Sequence, residues 1–120
     1  VSGRLAAPFE RLFKAFRNSC RGLRHAWRHE TAFKQECWLL LLLLPLAFFL
    51  GENGVERALL AGFLLLVPMA ELLNSAIEGA VDRIGTDPHP LSGLAKDLGS
   101  AGVFVAMLLA AMAWLLILLD

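Results

Sequence analysis

The segment Leu98–Leu119 runs for 22 residues without a charged side chain. No other feature limits the fold as tightly, because about 20 apolar residues in helical form cross the hydrocarbon core of a bilayer. Two further stretches share this character. Cys37–Gly51 carries no charge, and Ala58–Val81 carries only Glu71 and Glu78. These blocks raise the hydrophobic content to 58% and leave 18% charged residues over 120 positions. Soluble domains average about 45–50% and about 25%. The composition excludes an ordinary soluble globular domain and a disordered chain. Three membrane segments leave no length for a second domain, so one all-α integral membrane domain is expected over residues 1–120.

The formal net charge of zero conceals an asymmetry. Eight of the eleven Lys and Arg residues (Arg4, Arg11, Lys14, Arg17, Arg21, Arg24, Arg28, Lys34) lie within residues 1–34, against Glu10 and Glu30. Basic flanks mark the cytoplasmic side of a span and attract anionic lipid. The expected topology is therefore a membrane crossed several times, with the N-terminus cytoplasmic. A cleaved signal peptide fits poorly, since the basic region is long and Ala47-Phe48-Phe49 lacks the small residues of a cleavage site. Cys20 and Cys37 read as free thiols of a reducing compartment.

Residues 8–34 are expected to form an amphipathic surface helix. Phe9, Leu12, Phe13, Phe16, Cys20, Leu23 and Trp27 recur at steps of three and four, with Arg11, Lys14, Arg17, Arg21, Arg24 and Arg28 opposite them. An apolar stripe against an Arg-rich face suits a helix lying in the membrane interface. The three spans are expected at 35–50, 55–81 and 98–119. Gly51-Glu52-Asn53-Gly54 turns between the first two, and a polar connection from Asp82 to Lys96 joins the last two. Pro45 is tolerable inside a membrane helix. Trp27, Trp38 and Trp114 read as interface anchors, while Gly99, Ser100 and Gly102 permit close helix packing. Three spans put residues 1–34 and 82–97 on one face of the membrane.

The second span carries the informative pattern. At about 100° per residue, Glu71 at 0° puts Asn74 at about −60°, Glu78 at about −20° and Asp82 at about +20°. Four polar groups thus share one narrow sector of an otherwise apolar helix. An acid at the bilayer centre costs about 2.5–3.5 kcal/mol on insertion scales, whereas each Leu returns only about 0.3–0.6 kcal/mol. Such acids need a use. Interhelical hydrogen bonding, a proton or cation pathway, and catalysis with one carboxylate as base and another as metal ligand all fit the stripe. The stripe alone does not choose among them.

The downstream connection shifts the balance. His89 through Ser100 brings Lys96, Asp97 and small residues to the side of Glu78, and Glu30, Arg24, Arg28 and His29 close the basic helix. Carboxylates that bind Mg²⁺ beside Lys or Arg suit a nucleoside triphosphate. The chain has no G-x-x-x-x-G-K-[ST] loop and no Gly-x-Gly-x-x-Gly, so any kinase here is built from membrane helices.

The segment Glu71-Leu72-Leu73-Asn74-Ser75-Ala76-Ile77-Glu78-Gly79-Ala80-Val81-Asp82-Arg83 resembles the signature of the prokaryotic diacylglycerol kinase family. His89–Ala101 resembles that family's second block, and Ser19–Glu36 its N-terminal block. Three ordered blocks at matching separations cover nearly the whole chain. The resemblance implies an ATP-dependent lipid kinase that converts diacylglycerol to phosphatidate, with Mg²⁺ as cofactor and ATP as co-substrate. It implies Glu71 as general base, with Asn74 orienting it or the lipid headgroup. Glu30 and Glu78 would hold the metal. ATP would meet Arg11, Asn18, Glu30, Glu78, Asp87, His89, Lys96 and Asp97. The lipid would meet Arg11, Ser19, Arg24, Trp27, Glu36, Glu71 and Ser100. Asn18 matches a position where some members carry an aromatic, and Pro88 and Pro90 stiffen the nucleotide loop. The implied partners are diacylglycerol, ATP and membrane lipids, with a homotrimer sharing active sites and no nucleic acid. An undecaprenol kinase and a small oligomeric transporter with Glu71 as ion or proton site are the alternatives. A transporter, however, has no use for Glu30, Lys96 and Asp97 clustered at one face.

Overall fold

Residues 2–120 are described by a computed structural model, with side chains from Ala7 onward. Arg4, counted among the eight basic residues, lies outside those described side chains. The secondary structure is helical throughout: α1 Ser2–His29, α2 Thr31–Leu50, α3 Gly54–Ile84 and α4 Pro90–Leu118. Among the described residues there is no strand. An all-α chain follows from the apolar blocks, because in hydrocarbon a helix satisfies every backbone amide within its own segment.

Three helices, α2, α3 and α4, are long and apolar enough to cross a membrane. The 20 residues of α2 reach about 30 Å at 1.5 Å each, close to the apolar thickness of a bilayer. The 31 residues of α3 and the 29 of α4 reach about 46 and 44 Å. Both therefore extend beyond the apolar slab as helix. Most of the polar connection after Val81 is helical for this reason, and only residues 85–89 lie outside α3 and α4.

The chain divides into two compact units, one up to Lys34 and one from Gln35 to Asp120. In the first, the helical hydrogen bonds persist across the break at Glu30, whose amide donates to the Ala26 carbonyl at 2.8 Å and whose carbonyl accepts from Lys34 at 3.1 Å. The Arg17 guanidinium lies 5.0 Å from the centre of the Phe13 ring, and Lys34 Nζ lies 5.6 Å from that of Trp27. Phe9, Leu12, Phe13 and Phe16 are all exposed.

In the second unit, the turn between α2 and α3 is closed by side-chain hydrogen bonds. Asn53 caps α3 by accepting from the Glu56 amide at 2.9 Å, and Glu56 Oε1 accepts from the Glu52 amide at 3.1 Å. Arg57 Nε donates to the carbonyls of Phe48 and Gly51 at 3.1 and 3.2 Å. Those carbonyls end α2 and would otherwise lack partners. Gly51 is required here, since a Cβ would stand 2.5 Å from Arg57 Cγ and 3.0 Å from its amide nitrogen.

The core of this unit is small. Ala47, Leu60 and Ala61 are buried together, with Leu44, Leu64, Trp114 and Ile117 packed around them. Trp114 Nε1 on α4 donates to the Leu60 carbonyl on α3 at 3.1 Å. Small side chains at Val103, Ala106 and Ala110 let α4 approach its neighbours closely. Leu41, Leu42, Phe49, Leu108 and Leu116 face outward, as lipid-facing residues do. Cys20 and Cys37 are free thiols.

Two expectations follow for stability in detergent micelles, both read as thermal midpoints. Arg57→Ala removes two charge-assisted hydrogen bonds and should destabilise by about 1.5–3 kcal/mol. Trp114→Phe keeps an aromatic ring but loses the bond and part of the packed indole, so the loss should be at least about 0.6 kcal/mol.

Candidate active site

The stripe predicted on α3 is present as one continuous polar face, and it is graded by depth. Glu71 and Glu78 are half-buried, Asn74 is only 7% exposed, and Asp82 is exposed. Asn74 Nδ2 donates to Glu78 Oε1 at 3.3 Å, the i to i+4 contact that a helix face provides. Asn74 Oδ1 is buried without a hydrogen-bond partner. A buried carbonyl oxygen in that condition is costly, and native structures seldom keep one without reason.

A second buried acid faces the same region. Glu36 on α2 is 9% exposed, and neither of its carboxylate oxygens has a hydrogen-bond partner. Glu71 is its electrostatic neighbour, so α2 and α3 bring two carboxylates into mutual repulsion. Glu36 also borders an apolar cavity of about 230 Å³ between α2, α3 and α4, whose other walls include Leu39, Leu40, Leu64, Val67 and Met107. A carboxylate at the rim of a hydrocarbon-lined cavity suits an amphiphile with a polar head and a greasy tail.

At the far end of the stripe the walls become polar. A cleft of about 490 Å³ lies at the turn between α3 and α4, lined by Asp82, Thr86, Asp87, His89, Ser92 and Lys96. Lys96 Nζ pairs with Asp82 Oδ1 at 2.8 Å, and Glu78 adds its field to the same ammonium. His89 caps α4 through Nδ1, which accepts from the Leu91 amide at 3.1 Å, with Pro90 in the first helical turn. That bond leaves Nε2 as the ring atom available to the cleft. Asp97 and Ser100 are exposed on α4.

The remaining predicted residues belong to the first unit. Arg11 and Asn18 stand two turns apart on α1 and are exposed, as are Arg24 and Trp27. The Ser19 hydroxyl donates to the Ala15 carbonyl at 2.9 Å. Glu30 is half-buried at the break between α1 and α2.

The structure thus brings together Glu36 with Glu71, Asn74 with Glu78, and Lys96 with Asp82. Among the described residues, no group of three or more His, Cys, Asp or Glu side chains is spaced to hold a metal by itself. Mg²⁺ needs no such group, because it commonly takes one or two carboxylates and fills its octahedron with water and phosphate oxygens. Glu78 fits that role, as one of its oxygens is anchored by Asn74 and its chemistry is that of a hard donor.

Two roles were not read from the sequence. Asp82 holds Lys96, a partner that the sequence did not supply. Its place in the Glu71 sector was the available signal, but the partner depends on how α4 faces α3. The capping role of His89 was signalled by Pro90, since the residue before a first-turn proline is the cap position.

Residues 17–118 match the prokaryotic diacylglycerol kinase family. Curated relatives agree over most of their length. A diacylglycerol kinase of Haemophilus influenzae is 50% identical over 103 residues, 86% of this chain and 87% of its own. That of Escherichia coli K12 is 46% identical over 110 residues, 92% and 90% of the two chains. The Pseudomonas aeruginosa enzyme is 46% identical over 111 residues, with the same coverage. With its three candidate spans and the acidic face of α3, the chain belongs to the prokaryotic diacylglycerol kinase family.

Proposed function

We propose that this chain transfers the γ-phosphate of ATP to the hydroxyl of diacylglycerol, yielding phosphatidate and ADP. The observation that carries the reading is the polar face of α3: Glu71 is the electrostatic neighbour of Glu36 at the apolar cavity, and Glu78 bonds Asn74 and acts on Lys96 at the cleft. Relatives that share 46–50% of the sequence are named diacylglycerol kinases.

Glu71 accepts the proton of the lipid hydroxyl. The hydroxyl oxygen attacks the γ-phosphorus while the bond to the β,γ-bridging oxygen breaks and ADP departs. Such a transfer depends on alignment and charge neutralisation more than on covalent catalysis. Lys96 offers its ammonium to the phosphates, oriented by Asp82 until they arrive. Asp87, His89 and Asp97, together with Arg11 and Asn18 of α1, are the further residues assigned to the nucleotide in this reading. Glu30 and Glu78 are the carboxylates that would hold Mg²⁺. When bound, the ion neutralises phosphate charge. Glu36, Ser19, Arg24, Trp27 and Ser100 contact the acceptor lipid.

The same reading covers assembly and location. The exposed apolar side chains Phe9, Leu12, Phe13 and Phe16 support α1 as a surface helix pressed into the headgroup layer. The basic residues of 1–34 favour a cytoplasmic N-terminus in a bacterial inner membrane. The proposed assembly is a homotrimer in which neighbouring subunits complete each active site.

The test is phosphorylation in mixed micelles with ATP and Mg²⁺, offering diacylglycerol and undecaprenol separately. Phosphatidate should form, and Glu71→Gln should lower turnover by about 10²–10⁴-fold, the usual contribution of a positioned base. Turnover within a few-fold of normal would remove Glu71 from that role. Preference for undecaprenol would change the acceptor and keep the mechanism, whereas no transfer to either lipid by folded protein would overturn the reading. Chelating Mg²⁺ should abolish turnover and its return restore it. Lys96→Met should raise the KM for ATP at least tenfold.

A further inference from the structure

Gly99 lies on α4 opposite the polar face of α3, in the interior of a 29-residue helix. Glycine is disfavoured there relative to alanine, so its presence calls for a local cause. A Cβ on Gly99 would overlap Asn74 Oδ1 and stand 3.3 Å from Asn74 Cγ and 3.5 Å from Ile77 Cδ1. The overlap falls on the end of a side chain and not on the α3 backbone. An added methyl group therefore displaces the Asn74 carboxamide while the two helices keep their spacing.

Asn74 has little freedom to absorb such a displacement. It is 7% exposed, its Oδ1 is buried without a hydrogen-bond partner, and its Nδ2 donates to Glu78 Oε1 at 3.3 Å. That distance is already at the long end for an N–H···O bond, so a further shift breaks it. Other glycines supply the contrast. At Gly62, Gly79, Gly93 and Gly102 an added Cβ meets nothing within 4 Å. Among the described glycines inside helices, the requirement for a missing side chain is specific to the position facing Asn74.

We propose that Gly99 is a positioning residue for Glu78: its notch seats the Asn74 carboxamide, and the seated carboxamide fixes the carboxylate. The inference rests on the proposed role of Glu78 toward Mg²⁺, but it concerns only side chains of this chain. Gly99 acts through Asn74 and touches no substrate.

The test compares Gly99→Ala, Asn74→Ala, the double variant and Gly102→Ala. In metal-free protein, the side-chain amide resonance of Asn74 should move in Gly99→Ala and stay in Gly102→Ala. In the kinase assay, Gly99→Ala and Asn74→Ala should each raise the Mg²⁺ concentration for half-maximal activity about tenfold. The double variant should shift it no further than either single change, because both act on one link. Thermal midpoints should remain near that of the original chain. An unmoved Asn74 resonance, or an additive shift in the double variant, overturns the proposal. Should Gly99→Ala fold poorly, the Asn74→Ala background removes the overlap, and an effect of Gly99→Ala there equally overturns it. Absence of lipid phosphorylation by the unaltered chain would instead defeat the proposed function, and the resonance comparison would still decide the positioning role.

Discussion

Hydrocarbon offers no partner to a backbone amide or a polar side chain, and this single constraint organises the molecule. It makes α2, α3 and α4 helices. It also makes each acid on them expensive, so that Glu36, Glu71 and Glu78 stand out against their apolar surroundings. Asn74 answers for Glu78 with a hydrogen bond. Glu36 and Glu71 are set against each other beside an apolar cavity. The polarity of the site is thus a gradient along one helix face, from a cavity suited to acyl chains to a cleft suited to phosphates.

Length gives that gradient its geometry. Because α3 and α4 exceed the apolar thickness of a bilayer, the last turn of α3 holds Asp82 and the first turns of α4 hold Lys96 and Asp97 without leaving helical form. A helical support holds a side chain more rigidly than a loop would. The short connection at residues 85–89 then places Asp87 and His89 in the cleft beside Asp82 at the end of α3. An acceptor confined to lipid and a donor confined to water can meet only at such a boundary.

Much of this is legible in the sequence, for physical reasons that differ by residue. The spans are legible because charge is absent over long runs, and Glu71 and Glu78 are legible because they interrupt one. Their common face with Asn74 and Asp82 needs only the helical repeat. Glu36 is different: Lys34-Gln35-Glu36-Cys37 reads as an ordinary span boundary, and nothing in it distinguishes a buried acid from a solvated one. The resemblance alone assigned it a role. The pairing of Lys96 with Asp82 and the fit of Gly99 against Asn74 depend on the register between α3 and α4, which no periodicity within one helix contains.

The Arg57 clamp has a consequence for how such a chain would enter its membrane. In the proposed orientation, Arg57 is the lone basic residue beside the hairpin that must be carried across, and a cation there opposes translocation. Its guanidinium is instead spent on the carbonyl end of α2, with Glu52 and Glu56 in the same turn. The negative end of the helix dipole and the nearby acids offset its charge. Once that contact forms, the turn presents no unpaired cation to the translocating side, and in the proposed orientation the basic N-terminal segment is left as the cationic determinant of topology.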